Sequence, residues 1–501
     1  MNTFINAMRN ATNSDMTYTE NGAVTRTSTK SALLDLFALG GSYRTRTEDD
    51  CIFLFSKAFN ENPTYAMKCL FYLRDITEGQ GERRFFRTAV HWLAKTHPNV
   101  VRANIENIPY FGRWDDVWYS LCGTPCEKDG LNFVKEQLAM DVQCKTPSLL
   151  AKWLPSENTS SATTRSLARQ MRAFLGMTAR QYRKTLSILR ARINVLETLM
   201  SANKWDKIEF DKIPSRAGMI YRNAFARHDV ERAKKNVGTY ADFITDADTK
   251  VNAKALYPYE CVHKALYMGS HTSPTDRAAV NKYWENLTDY IKNGELDAMA
   301  IVDVSGSMMM GGNNTANPID VAISLGMYCA EKAKGPYHNK FITFSSNPKL
   351  VEIEGYDFVD KVKRMVRAEW GMNTNIEAVF SLMLNIALQN HLSQEDLPKS
   401  LIIISDMEFD AARYRYSNNK ISHTTLMERI KETWEHYGYT MPKLIFWNAC
   451  ARNDNIPMKD DGYVNYVSGM SPSIFDQIIK NVSAYDLMMN KLNSERYKNV
   501  K

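Results

Sequence analysis

The sequence predicts a two-part protein: an α-helical N-terminal domain, HEAT-like in the manner of an α-solenoid, and an α/β C-terminal domain of the doubly wound, Rossmann-like kind. Three observations carry that reading. From about Lys30, segments of 12–20 residues with apolar positions three or four apart follow one another, with Pro or Gly between them. From about residue 296, short apolar runs alternate with amphipathic segments. Two of those runs, AMAIVD (298–303) and KSLIIISD (399–406), are near-continuously apolar, as strands buried on both faces of a parallel sheet are, and each stops on an aspartate.

Taken in order, residues 1–29 are rich in Asn, Thr and Ser and read as a loose arm. Residues 30–295 read as the helical domain. SALLDLFALGG (31–41) is a helix closed by a glycine pair. Thr47, followed by Glu48, Asp49 and Asp50, is an N-cap with an acidic first turn, and its helix offers Ile52, Phe55 and Phe59 to a core. NPTYAMKCLFYLRDI (62–76), GERRFFRTAVHWLAKTHP (81–98) and ANIENIPYFGRWDDVWYSL (103–121) continue the series, with the basic stretch GERRFFR (81–87) read as a loop. No fixed-period repeat is visible. Pro155 in KWLPS and Pro214 mark turns, and NKYWENLTDYIKN (281–293) closes the helical part, with the boundary at 292–297.

Residues 296–485 alternate strand and helix. After the first strand comes a helix at about 318–334 entered through Pro318. Strands NKFITFSS (339–346) and PKLVEIEG (348–355) follow, then helices at 357–370 and 375–391. The strand ending at Asp406, a helix at 424–438, strands KLIFWNAC (443–450) and GYVNYVSG (462–469) and a helix at 472–482 complete the domain. Residues 486–501 are left as a tail.

At 501 residues, with 24% charged and 44% hydrophobic residues, the chain has the composition of a soluble globular protein of two or three domains. No apolar run approaches the ~18–20 residues that span a bilayer, and the polar N-terminus lacks a signal-peptide core. Eight scattered cysteines do not form a disulfide scaffold. These features predict a cytoplasmic, membrane-free protein. Cys122, Cys126 and Cys144 fit a zinc site loosely, without a fourth ligand at ribbon or finger spacing; the competing reading is ordinary loop and core cysteines.

The net charge of +7 is unevenly placed: residues 1–300 carry 41 Lys and Arg against 33 Asp and Glu, and residues 301–501 carry 22 against 23. From Thr159 to Leu196 there is no acidic residue, yet Arg165, Arg169, Arg172, Arg180, Arg183, Lys184, Arg190 and Arg192 are all present. Arg165, Arg169 and Arg172 share one helical face, while Leu167, Met171 and Phe174 take another. Two readings stay open. The row is a phosphate-contact surface, or it is a solvated face whose counter-ions come from elsewhere in the fold. Trp114, Trp118, Trp153 and Trp205 are candidate stacking platforms for bases, but their spacing suits helix packing and they are read as core.

The C-terminal chemistry centres on Asp303, Ser305 and Ser307 (D-x-S-x-S) at the end of the first strand. They offer only hard oxygen donors, the set that Mg²⁺ or Mn²⁺ takes and zinc does not prefer. In a doubly wound sheet ligands gather beyond the carboxyl ends of the strands, so Asp406 faces the same crevice, and Thr374 in the turn GMNTN (371–375) lies between them in sequence. This constellation resembles the metal-ion-dependent adhesion site (MIDAS) of a von Willebrand factor A (vWA) domain. The resemblance implies that these five residues are the ligands of a Mg²⁺ or Mn²⁺. It also implies an open position taken by an acidic residue of a partner protein, with 308–314 (MMMGGNN) flanking it.

The stretches LRDITEGQGERRFFR, IPYFGRWDDVW, LLAKWLPSE, YRKTLSILRARINVLE, IPSRAGMIYRNAF and VNAKALYPYECV, followed by AIVDVSGSM and IIISDMEFD, extend the likeness over about residues 30–480. The chain resembles the Ro ribonucleoprotein (TROVE plus vWA) family and, more closely, an uncharacterised family related to it in phages, giant viruses and plants. Ro proteins bind structured RNA on a basic surface and single-stranded ends in a central hole, which implies RNA phosphate contacts for the arginine row at 165–192, Arg165, Arg169, Arg172, Arg180, Arg183 and Lys184 foremost, and for GERRFFR. The expected function is a non-enzymatic binding protein: RNA on the helical domain, a protein partner on the metal. The alternative is a metal-dependent protein scaffold with no nucleic acid. No phosphate loop, H-E-x-x-H motif or nucleophile–base pair argues for catalysis.

Overall fold

The computed structural model describes residues 15–291, 296–309, 317–333, 335–344, 347–367, 374–411, 424–459, 462–478 and 482–501. Residues 310–314 of the expected docking stretch, 371–373 of the GMNTN turn and 292–295 of the boundary lie outside them.

Local rules make the helices. Thr47 caps Glu48–Glu61 in a reciprocal box with Asp50, and Thr178 does the same for Ala179–Arg192 with Gln181. Pro63, Pro258, Pro274 and Pro318 each sit at a first helical position, where no N–H is needed. The first capped helix buries Cys51, Leu54, Phe55, Ala58 and Phe59; Ile52, expected in the core, is half-buried beside this stripe. GERRFFR is not a loop. The Glu82 carboxylate accepts from the N–H groups of Arg84 and Phe85, so the helix Arg83–Thr96 starts inside the motif.

The helical run curls back on itself, so that the turn before Arg83–Thr96 meets the turn before Pro258–Leu266. Gly81, at φ +63°, lies so close to the Tyr257 hydroxyl that a Cβ would collide with it. Only a residue without a side chain suits both the left-handed backbone and the contact.

The C-terminal region is a six-stranded mixed sheet with helices, in the order β5-β4-β3-β6-β7-β8. The strands are β3 Ala298–Asp303, β4 Lys340–Phe344, β5 Lys349–Glu352, β6 Ser400–Ser405, β7 Lys443–Asn448 and β8 Val464–Ser468. All pairings are parallel except β4 with β5, the antiparallel edge. The helix Pro318–Lys332 packs on β3, with Gly326 against Val302.

Both ends of the chain depart from expectation. Residues 15–29 are not loose: β1 (Met16–Tyr18) and β2 (Val24–Arg26) pair as a hairpin, and Arg26 exchanges two backbone hydrogen bonds with Ile456 (3.0 and 2.8 Å). Nor is 486–501 a free tail. The helix Ala484–Leu492 and the turn after it bury Leu492, Tyr497 and Val500, and Arg496 and Tyr497 both bond Asp75 in the helical region. Further links join the regions: His263 to Asp320 (2.8 Å), Arg277 to Asp357 (2.6 Å) and the Gly41 N–H to Ser468 (3.0 Å). The two parts share one continuous apolar core. Among the described residues no helix is long and apolar enough to cross a membrane.

Candidate functional sites: a carboxylate–hydroxyl cluster and a basic cavity

The first site follows from strand register. β3 and β6 run parallel with Val302 opposite Ile404, so the next residues, Asp303 and Ser405, are neighbours. Ser405 donates to Asp303 Oδ2 at 2.6 Å, and the Ser305 N–H donates to Oδ1 at 2.9 Å. The Ser305 and Ser307 hydroxyls are 2.9 Å apart. Beyond Ser405 the chain turns through Met407 at φ +65°, which brings the Glu408 N–H back to Asp406 Oδ1 (3.1 Å). A Met in the left-handed region is a strained choice, and here it shapes the loop that carries Asp406.

Asp303 is fully buried and Asp406 nearly so. Burial, and then the charge of Asp406, push the Asp303 carboxyl well above its usual pKa. Burial also raises Asp406, against the pull of Arg452, the Glu408 N–H and Ser307. Among the described residues Asp406 Oδ2 accepts no hydrogen bond, and its one cationic neighbour is Arg452 Nη2 at 3.2 Å. Two carboxylates held together in a buried crevice call for positive charge, and among the described residues Arg452 alone supplies it, at Asp406 Oδ2.

Asp303, Ser305, Ser307 and Asp406 are thus brought together as their motif suggested. Thr374 joins the same loop at one remove: its hydroxyl donates to Asp410 Oδ1 (2.7 Å) and accepts from Asn21 Nδ2 (2.9 Å). Ser405 and Asp410 were readable as neighbours of Asp406 in SDMEFD; Asn21 and Glu20, from the hairpin tip, carried no sequence signal. Among the described residues no group of three or more His, Cys, Asp and Glu gathers as a metal cage. Cys126 is buried with its thiol 3.4 Å from the Pro98 carbonyl, while Cys122 and Cys144 are exposed, as loop and core cysteines are.

The second site is a cavity of 1770 Å³ enclosed by the curled helical run. Eleven Lys and Arg line it against three Glu. Of the expected basic stretch, Arg180, Arg183, Lys184 and Arg190 line this cavity; Arg165, Arg169, Arg172 and Arg192 do not. Arg165 is spent locally on the Thr159 and Ser160 carbonyls (2.6 and 2.8 Å). Glu157, just outside the acid-free stretch, lies 2.9 Å from Arg172 and 3.4 Å from Arg183, because the turn at Pro155 folds it back onto both helices. The row therefore has a counter-ion after all. Arg190 is fixed by the Ala151 and Leu154 carbonyls, and Arg192 by that of Val142.

Among the described residues, Arg83, Arg180 and Lys184 have no acidic side chain within ion-pair distance. Arg83 faces Arg113 and Arg87, and burial together with those like charges depresses its pKa. Trp114, Trp118 and Trp205 are core as expected; Trp153 is instead half-buried at the cavity wall, with Arg113 stacked 4.0 Å from its ring.

Residues 19–117 and 129–296 match the family described as domain of unknown function DUF2828, and residues 297–499 match domain of unknown function DUF7788. The uncharacterized protein L728 of Acanthamoeba polyphaga mimivirus is 32% identical over 93% of this chain and 85% of its own length. This chain belongs to the DUF2828 family. The cavity is lined by the DUF2828 segments except for Met470, and the strand-end carboxylates lie in the DUF7788 segment. Among solved structures, the Ro (RSR) protein of Deinococcus radiodurans aligns over 93% of this chain and all of its own, at a TM-score of 0.47 and 14% identity.

Proposed function

We propose that this DUF2828 protein is a non-enzymatic, Ro-like RNA-binding protein of the cytoplasm. In this reading the helical region takes single-stranded RNA into its basic cavity, and the C-terminal region is a vWA domain that docks an acidic partner through a MIDAS. The observation that carries the RNA reading is the cavity's lining, eleven cations against three acids, where among the described residues Arg83, Arg180 and Lys184 have no acidic side chain within ion-pair distance. Phosphates relieve that crowding, and Trp153 at the wall offers a stacking face.

The metal reading rests on the donor set. Asp303, Ser305, Ser307, Thr374 and Asp406 present carboxylate and hydroxyl oxygens only, and Asp406 Oδ2, which among the described residues accepts no hydrogen bond and pairs only with Arg452, fits a hard divalent cation. Mg²⁺ or Mn²⁺ bound there would supply a point of attachment for a partner's carboxylate. The protein's own part is to hold the ligands: Ser405 fixes Asp303, and the Glu408 N–H fixes Asp406.

The alternative is a scaffold that binds protein alone, and the pairing of Arg172 and Arg183 with Glu157 favours it. Anisotropy with a labelled single-stranded oligoribonucleotide separates the two. The RNA reading expects affinity to fall steeply between about 50 and 200 mM salt. Binding that ignores salt, or no binding, overturns it in favour of the scaffold.

A further inference from the structure

The hairpin at the N-terminal end of the described chain reaches the metal-ligand loop of the opposite end. Its tip, residues 19–22, reads that loop almost atom by atom. Thr19 donates to the Phe409 carbonyl (2.6 Å), the Glu20 N–H to Glu408 Oε2 (2.7 Å), and the Ala411 N–H to the Asn21 carbonyl (3.0 Å). Gly22 bridges Asp410. Glu20 also pairs with Arg452 (2.7 Å), the residue beside Asp406. Thr19, Ala23 and Thr25 are buried, so the hairpin is packed in rather than resting on the surface.

The consequence is sharpest at Thr374. A hydroxyl has one proton and two lone pairs. Asp410 Oδ1 takes the proton at 2.7 Å, and the Asn21 amide occupies one lone pair at 2.9 Å. That amide group is fixed as the donor, because it also donates to the Glu408 carbonyl, which can only accept (2.6 Å). One lone pair is left on Thr374, with the hydroxyl locked in rotation.

We infer that the metal centre is a composite of the two ends of the chain, with Asn21 the positioning residue that aims the Thr374 hydroxyl at the cation. The inference rests on the metal reading given above. Partners of this kind, one bond behind a ligand, typically govern metal affinity by about 10- to 100-fold. The C-terminal region by itself, which matches a family of its own at 297–499, lacks this partner.

The test is a double-mutant cycle on the full chain, reading Mn²⁺ affinity from the electron paramagnetic resonance signal of free Mn²⁺. Asn21→Ala weakens Mn²⁺ binding about tenfold, and Asn21→Gln, which keeps the amide donor, recovers part of it. Thr374→Ala weakens binding too, and adding Asn21→Ala to it then changes nothing further, because the hydroxyl that Asn21 aims is gone. A merely structural hairpin would weaken binding equally in both backgrounds and lower the melting temperature of the metal-free protein, which overturns the inference. Equal Mn²⁺ affinity in wild type and Asn21→Ala overturns it while the metal reading stands. A wild-type protein that does not bind Mn²⁺ overturns both.

Discussion

The carboxylate–hydroxyl cluster and the basic cavity are built on opposite plans. The cluster concentrates unlike demands in a small dry crevice: two carboxylates forced together, each held by serines and backbone N–H groups. The cavity spreads like charges over a wide wall drawn from six or more segments between Arg44 and Tyr259, with Met470 beside them. One is short of positive charge and the other of negative charge. The difference teaches where each tolerates change. A single substitution empties the cluster, whereas the cavity loses affinity by increments.

The largest effect expected is at Asp303. Asp303→Asn keeps the side chain's shape and removes its charge, so titration finds no Mn²⁺ binding while RNA affinity stays at wild type. The raised pKa fixes the sign for stability. The buried carboxyl costs stability progressively as pH rises from the ordinary carboxylate range, near 3.8, towards about 7, so the metal-free variant melts no lower than wild type at neutral pH. A variant that loses both Mn²⁺ and RNA would break the comparison, since the two sites would then be one coupled unit.

Next comes the closure of the cavity. Gly81→Ala places a methyl group against Tyr257 and puts Ala at φ +63°. The cost is about 1–3 kcal/mol in denaturant unfolding. RNA affinity falls with it, because the contact joins the two ends of the cavity wall, and Mn²⁺ binding is untouched. Unchanged stability would show that Tyr257 moves aside freely and that closure at this point matters little.

How much of each site the sequence disclosed follows from the same contrast. Asp303, Ser305, Ser307 and Asp406 were readable because a parallel strand ends where its apolar run ends, and neighbouring strand ends meet in register. That is local pattern plus one topological rule. Thr374 meets the loop through Asp410 and Asn21, and nothing in T-E-N-G at residues 19–22 announces a partner several hundred residues away. The arginine stretch was visible as composition, yet periodicity could not say which face looks inward. The helical spacing of Arg165, Arg169 and Arg172 was real, but the turn at Pro155 supplied a counter-ion and the cavity took the next helix instead.

A smaller effect sharpens the cavity's side of the comparison. Replacing Arg180 and Lys184 by Ala lowers the slope of log affinity against log salt by about 0.7 for each RNA phosphate left without its cation on a single strand. Arg165→Ala leaves the slope unchanged, since that guanidinium caps its own turn. Equal effects from all three would return the binding surface to the outer face.

The smallest expected change runs the other way. Glu157 is the one carboxylate shared by Arg172 and Arg183, and of those two only Arg183 lines the cavity. In Glu157→Gln the amide cannot neutralise either guanidinium, and Arg183 becomes available to a phosphate. RNA affinity then rises by a few-fold and the salt slope steepens by about 0.7, as one further phosphate is neutralised. The fold loses no more than about 1 kcal/mol for each of the two pairs, because both arginines are partly exposed and such pairs are weakly stabilising. An increase in affinity on removing an acid is what the two binding hypotheses divide on. A scaffold that uses Glu157 to hold its helices together has no reason to gain RNA when that charge is removed, and a cavity short of negative charge does.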